Sequence, residues 1–124
     1  MNFDEYQKKA HETAQYPILY LLKPTKIPNE PLVNNQNWIY PALGLAGESG
    51  ELLNKLKKII RDNDGEIYPM TMIDLAIELG DILWYVSELA TLLEVNLGVI
   101  AEHNIKKLTK RAENKTIKGN GDNR

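Results

Sequence analysis

The sequence predicts an all-α protein, a bundle of four to five helices, and three observations carry that prediction. Apolar residues recur at helical spacing along the long stretches of the chain. Clusters of proline, glycine, asparagine and aspartate separate those stretches. No pattern demands a sheet.

The first helix is expected over residues 2 to about 16, with Phe3, Tyr6, Ala10 and Ala14 at helical spacing. Pro17 ends it, because the residue before a proline is pushed out of the helical region. Residues 17–40 carry Pro24, Pro28 and Pro31 and several asparagines and read as a loop-rich linker, in which residues 18–22 could add a short helical turn. A linker this long in a compact domain is usually functional or poorly ordered. The second helix is expected from Pro41 or Ala42, with proline acceptable in a first turn, to about Arg61, where Asp62, Asn63, Asp64 and Gly65 stop it. The third is expected from Thr71 as N-cap to about Glu94. A short turn over residues 96–98 follows, with Asn96 capping a fourth helix that runs to about Lys115, and residues 117–124 form a polar tail.

A chain of 124 residues is expected to be a single domain, 1–124, whose modest core would gain from burial against a second subunit. Its net charge of -2 does not suit a nucleic-acid polymer as partner. Cysteine is absent, which excludes disulfides, thiolate metal sites and cysteine nucleophiles and fits a reducing compartment. The opening residues are polar and acidic, and no apolar run approaches the roughly 20 residues of a membrane span. The expectation is a soluble, cytoplasmic protein with no membrane partner.

Two pairs of acidic residues could hold chemistry. Glu48 and Glu51 stand three apart on the second helix, and Glu78 and Asp81 repeat the spacing on the third, so each pair shares a face. Leu45, Leu52, Leu56 and Ile59 form an apolar sector beside the first pair; Leu75, Leu79, Ile82, Val86 and Leu89 do so beside the second. If those sectors pack together, both pairs lie at the margin of the seam. Acidic residues on helices are usually solvated, and either pair alone says little. On the third helix, however, Ile77 and Trp84 add an apolar flank on the far side of an acidic stripe that also holds Asp74, Tyr85 and Glu88. Carboxylates gathered between two apolar flanks repel each other and are costly to desolvate, and cations relieve both problems.

The ligand type selects the cation. An all-oxygen set suits Mg²⁺, with Mn²⁺ as a substitute, and such ions commonly hold substrate phosphates as well. His11 and His103 complete no Glu-x-x-His di-iron motif and have no partner that would make a catalytic pair; His11 reads as an interhelical or surface histidine and His103 as a polar residue of the fourth helix. On the fourth helix Asn104, Lys107 and Arg111 share one face, where the cations could engage phosphate oxygens or simply form a solvated basic surface near a helix C-terminus. Lys55 could balance the carboxylates or touch substrate. Trp38 and Tyr40 could stack on a nucleobase or pack in a core or interface, with Tyr16 and Tyr20 weaker candidates. No glycine-rich phosphate loop is present.

With Glu48-Ser-Gly-Glu51, then Glu78-Leu-Gly-Asp81, then Asn104, Lys107 and Arg111, the chain resembles the all-α nucleoside triphosphate pyrophosphohydrolases of the MazG-like family. The flanks 42–51 and 78–85 are very like family sequences, and similarity extends over nearly the whole chain, including Tyr6-Gln7 and the ending 119–124. It is similar in particular to the compact members found in bacteria and their phages. The resemblance implies a helical fold assembled as a homodimer or homotetramer. It also implies Mg²⁺ held by Glu48, Glu51, Glu78 and Asp81, and hydrolysis of NTPs or dNTPs, often non-canonical, between the α and β phosphates. On this reading water attacks the α phosphorus and pyrophosphate leaves, while Lys107 and Arg111 steady the phosphate chain and Asn104 could orient it or a water. Arg124 and Lys118 could close over the triphosphate. Two alternatives stay open: a specialised dUTPase-, dCTPase- or phosphoribosyl-ATP pyrophosphohydrolase-like enzyme, and a non-enzymatic helical oligomerisation or regulatory module.

Overall fold

A computed structural model describes residues 1–16, 38–114 and 116–118. Among them are four α-helices and no strand: α1 (Phe3–Glu12), α2 (Ile39–Asp62), α3 (Pro69–Leu92) and α4 (Leu97–Glu113). The expected short turn over residues 18–22, and most of the 17–40 linker, fall outside the described residues.

The helix ends follow from local chemistry. Asn2 caps α1 in a capping box: its side chain accepts from the Glu5 amide at 2.9 Å, and Glu5 reaches back to the Asn2 amide. Thr13 closes α1 three residues before the expected end, its hydroxyl donating to the Ala10 carbonyl at 2.7 Å. α3 begins at Pro69, with Tyr68 and not Thr71 at the cap. Proline at the first helical position has no N–H to leave unpaired and a φ already suited to the helix. That helix stops at Leu92, and Glu94 takes φ 56°, turning the chain toward α4. Asn96 caps α4 as expected, accepting from the Val99 amide at 3.2 Å.

α3 is the hub. It packs against α2 most extensively and also touches α1 and α4; α1 also meets α4, whereas α2 touches only α3 among these elements. α4 leaves α3 at a bend of 103°. Small and medium side chains fill the junction of α1, α3 and α4: Ala10, Ala90, Leu92 and Leu97 are all buried. Gln7 ties the junction together. Its amide donates to Thr91 Oγ1 and to the Val95 carbonyl, and its carbonyl accepts from the Leu97 amide at 2.8 Å. On the α2 side Ile59 is buried and Leu45, Leu52 and Leu56 are half-buried.

The second apolar flank of α3 is covered only in part: Trp84 is half-buried beside Thr13, whereas Ile77 is open. Ile77 and Leu79 are both more than half exposed, so Leu79 does not join the packed seam as its spacing suggests. The cause is angular: Leu79 stands about 100° round the helix from the buried Glu78, at the margin of its apolar sector, and so turns out of the seam. No single helix among the described residues is long and apolar enough to cross a membrane.

Candidate active site

Contacts between α2 and α3 run in opposite directions along the chain, so the helices are antiparallel. Lys55 faces Glu78 and Asp74, Glu48 faces Asp81, and Gly44 lies under Tyr85. The acidic stripe of α3 is thereby laid along α2.

Glu48, Glu78 and Asp81 each offer a carboxylate oxygen within 4.8 Å of the others, a spacing that could hold a divalent metal. Their environments differ. Glu78 is buried, Glu48 half-buried and Asp81 exposed. Lys55 Nζ sits 2.5 Å from Glu78 Oε1, but Glu78 Oε2 is buried without a hydrogen-bond partner among the described residues. A buried carboxylate oxygen left unsatisfied is costly, and a cation is the chemistry that would satisfy it. Burial raises the pKa of Glu48, and the charges of Glu51, Asp81 and Glu78 raise it further. The donor set therefore fits a hard divalent ion. Glu51 is exposed and outside the close group of three, although its charge reaches Glu48 and Lys55.

Beside these carboxylates opens a cavity of about 310 Å³ lined by Thr13, Glu48, Asp81, Trp84 and Tyr85. Trp84 meets Tyr85 edge to face, and its indole N–H donates to Thr13 Oγ1 at 2.8 Å, which joins the end of α1 to α3. Tyr85 can lie so close to α2 only because residue 44 is glycine: a β-carbon there would collide with the ring. Burial raises the pKa of Tyr85, helped by Tyr40, Glu48 and Asp81; burial and then Asp81 do the same to Tyr6.

Other residues singled out by sequence are placed less centrally. Trp38 stands half-buried at the start of α2, and Tyr40 stacks on Tyr16 with centroids 4.9 Å apart and planes 10° from parallel. Asn104 and Lys107 are exposed on α4 and Arg111 is buried; none of them lines the acidic cavity, and α4 does not touch α2. Lys118 is exposed, and Arg124 lies outside the described residues.

His11 is an interhelical histidine, one of the two readings its sequence allowed: its Nδ1 lies 3.1 Å from Glu88 Oε2 and 3.2 Å from Oε1, joining α1 to α3 outside the lining of the acidic cavity. Glu88 is almost completely buried at 1 % exposure, and it also accepts the Tyr16 hydroxyl at 2.6 Å. The only signal in the sequence was Glu88 itself, an acid on a helix face otherwise destined for burial; its partners lie more than seventy positions away.

Comparison with known proteins places this geometry in a family. Residues 40–116 match the MazG nucleotide pyrophosphohydrolase domain, a span that includes the three clustered carboxylates. The chain is also 40 % identical to the Gene 37 protein of Mycobacterium phage L5, over the whole of both chains. No solved structure matches it.

Proposed function

The chain belongs to the MazG nucleotide pyrophosphohydrolase family, and we propose that it hydrolyses nucleoside or deoxynucleoside triphosphates, non-canonical ones included, to nucleoside monophosphate and pyrophosphate with Mg²⁺, for which Mn²⁺ can substitute. The observation that carries the reading is Glu78: a buried carboxylate with one oxygen that no described residue satisfies, set against two further carboxylates at the edge of a cavity.

Glu48, Glu78 and Asp81 would hold the metal, with Glu51 completing the set from the next turn of α2. When bound, the ion neutralises phosphate charge and polarises the α phosphoryl group. The protein's own groups account for the rest. Glu48 and Asp81 line the cavity, so a carboxylate oxygen of either can accept a hydrogen bond from the attacking water and orient it toward the α phosphorus. Among the described residues lining the cavity, no side chain is poised as a nucleophile. The Thr13 hydroxyl donates to the Ala10 carbonyl and accepts from Trp84, which commits it, and direct hydrolysis is the simpler course. Lys55, beside the cluster, can follow a phosphate oxygen when a metal takes over the charge of Glu78. Asn104, Lys107, Arg111 and the tail residue Arg124 are the further phosphate contacts of the proposal, and Trp38 and Tyr40 its base contacts.

The whole chain, 1–124, is proposed as one catalytic domain, because α1 precedes the matched span yet packs on α3 and Thr13 lines the cavity. A homodimer or homotetramer is proposed from the uncovered apolar face. Leu53 and Ile60 on α2 and Met70, Ile73 and Ile77 on α3 are each more than half exposed, apolar side chains that a second copy of the chain would cover.

The test is a panel of canonical and modified NTPs and dNTPs with Mg²⁺, resolving monophosphate and pyrophosphate from diphosphate and phosphate. Monophosphate plus pyrophosphate, abolished by EDTA and by Glu78→Gln in folded protein, supports the proposal and ranks substrates. Absence of metal-dependent turnover across the panel would overturn it.

A further inference from the structure

The cluster of Glu88, His11 and Tyr16 takes no part in the proposed hydrolysis, yet at its centre Glu88 is a carboxylate only 1 % exposed that joins α1 to α3, accepting from the half-exposed His11 and from Tyr16. Burying a carboxylate among packed helices is costly, and an apolar residue of similar volume would dock α1 at least as well. What the carboxylate adds is direction. Two donors converge on it from α1 and from the segment just after α1, and each holds its side chain in one orientation. The Tyr16 ring so held lies flat on Tyr40, at the start of α2.

The position of this assembly is informative. Glu78, Asp81, Tyr85 and Glu88 follow one another along one face of α3. Glu78 and Asp81 belong to the carboxylate cluster, Tyr85 lines the cavity, and Glu88 anchors the stacked tyrosines. From Asp81 to Glu88 the helix rises about 10 Å. That is close to the reach of an extended nucleotide from its α phosphorus to its base. A triphosphate on the carboxylates would thus carry its sugar past Tyr85 and its base to Tyr16 and Tyr40.

We propose that Glu88 and His11 are positioning residues that lock Tyr16 against Tyr40, building an aromatic shelf on which the nucleobase of the substrate stacks. The inference rests on the nucleotide-cleaving reading for the orientation of the ligand. Glu88 and His11 touch no substrate; they act through the tyrosine ring. Stacking on a ring held in place is sequence-tolerant, because every base has a π face, so the shelf contributes affinity for nucleotides in general and the rims of the cleft choose among them.

The experiment compares two ligands on the full chain in Mg²⁺: a non-hydrolysable α,β-imido deoxynucleoside triphosphate and inorganic tripolyphosphate, which has no base. Tyr16→Ala is expected to weaken the nucleotide about tenfold and Tyr16→Phe about fivefold, with tripolyphosphate unchanged in both. Glu88→Gln keeps an oxygen to accept the Tyr16 hydroxyl and is expected to bind the nucleotide within about twofold of wild type. The proposal is overturned if folded Tyr16 variants keep the wild-type ratio of nucleotide to tripolyphosphate affinity, or lose both ligands in parallel. A wild-type protein that binds the two equally overturns it as well. Hydrolysis products measured on the same preparations separate the two readings: Tyr16-dependent nucleotide binding without release of monophosphate and pyrophosphate sinks the proposed activity and leaves the shelf standing.

Discussion

The Lys55 ammonium sits 2.5 Å from Oε1 of Glu78, so a side chain of the protein itself holds one oxygen of the carboxylate cluster. The lysine end of the pair is partly solvated and the glutamate end is buried. Removing the lysine therefore strands a buried charge, which an ordinary surface pair does not do. Lys55→Met is expected to lower the midpoint of thermal unfolding in EDTA clearly more than Lys106→Met, which breaks the exposed pair with Glu102. Mg²⁺ should narrow the gap, because a cation on Glu78 replaces what the lysine supplied. Equal midpoints for the two variants in EDTA would refute the claim that Lys55 stabilises the cluster.

Glu48 is a burden to the metal-free fold at neutral pH. Its pKa is raised above the ordinary 4.5, so the folded state holds its proton more tightly than the unfolded state does. The associated stability is present below the ordinary value and is lost as pH rises through the raised one. Glu48→Gln should then raise the unfolding midpoint in EDTA at pH 7 by about 3 °C, and it should shrink the further rise that Mg²⁺ or Mn²⁺ gives the wild type. Scanning calorimetry with and without metal checks both.

At alkaline pH the signs all agree. Burial and then the hydrogen bond to Glu88 raise the Tyr16 pKa above its ordinary 10.0; Tyr6 and Tyr85 are raised chiefly by burial, and Lys55 by its bond to Glu78. For each of them the unfolded chain gives up its proton first. Stability should change little between about pH 8 and pH 9 and fall from about pH 10 upward as the unfolded tyrosines ionise. Denaturant titrations at stepped pH test this, and the slope should be shallower in Tyr16→Phe.

Gly44 and Gly47 make a matched pair. Alanine at either gains helix propensity of about 1 kcal/mol. A β-carbon at Gly47 meets no atom within 4 Å, whereas one at Gly44 strikes the Tyr85 ring and must push it aside. Gly47→Ala is expected to be more stable, with turnover little changed. Gly44→Ala should be near neutral in stability and lose about tenfold in turnover through misplacement of the cavity wall. Steady-state rates alongside denaturant melts distinguish the two.

Much of this was legible in the chain itself. Helix spacing and turn residues predict the four helices to within a few positions, because those signals act over one or two turns. Asn96 declares its helix in the same way, through a side chain that competes for the first free amide. Pro69 shows how such a local reading slips: Thr71 is the better cap by residue type, but proline pre-set for the first turn moves the cap three residues earlier, to Tyr68. The spacing of Glu48 with Glu51 and of Glu78 with Asp81 likewise puts each pair on one helix face from sequence alone.

Which of the four acids converge is a property of how two helices cross, and no residue encodes that alone. The crossing brings Glu48 to Glu78 and Asp81 and leaves Glu51 on the exposed side of the same face. It also sets Lys55 on Glu78 and slides Tyr85 over Gly44. The buried Glu88 with His11 and Tyr16 lies further still from local reading, since its members meet across more than seventy residues. By itself the sequence determined an all-α chain with two carboxylate pairs at helical spacing and a family to which they belong. Tertiary packing decided which oxygen lacks a partner among the described residues, which lysine answers the charge and where the tyrosines stack, because those depend on distances between elements that hydrophobic burial sets and no local pattern records.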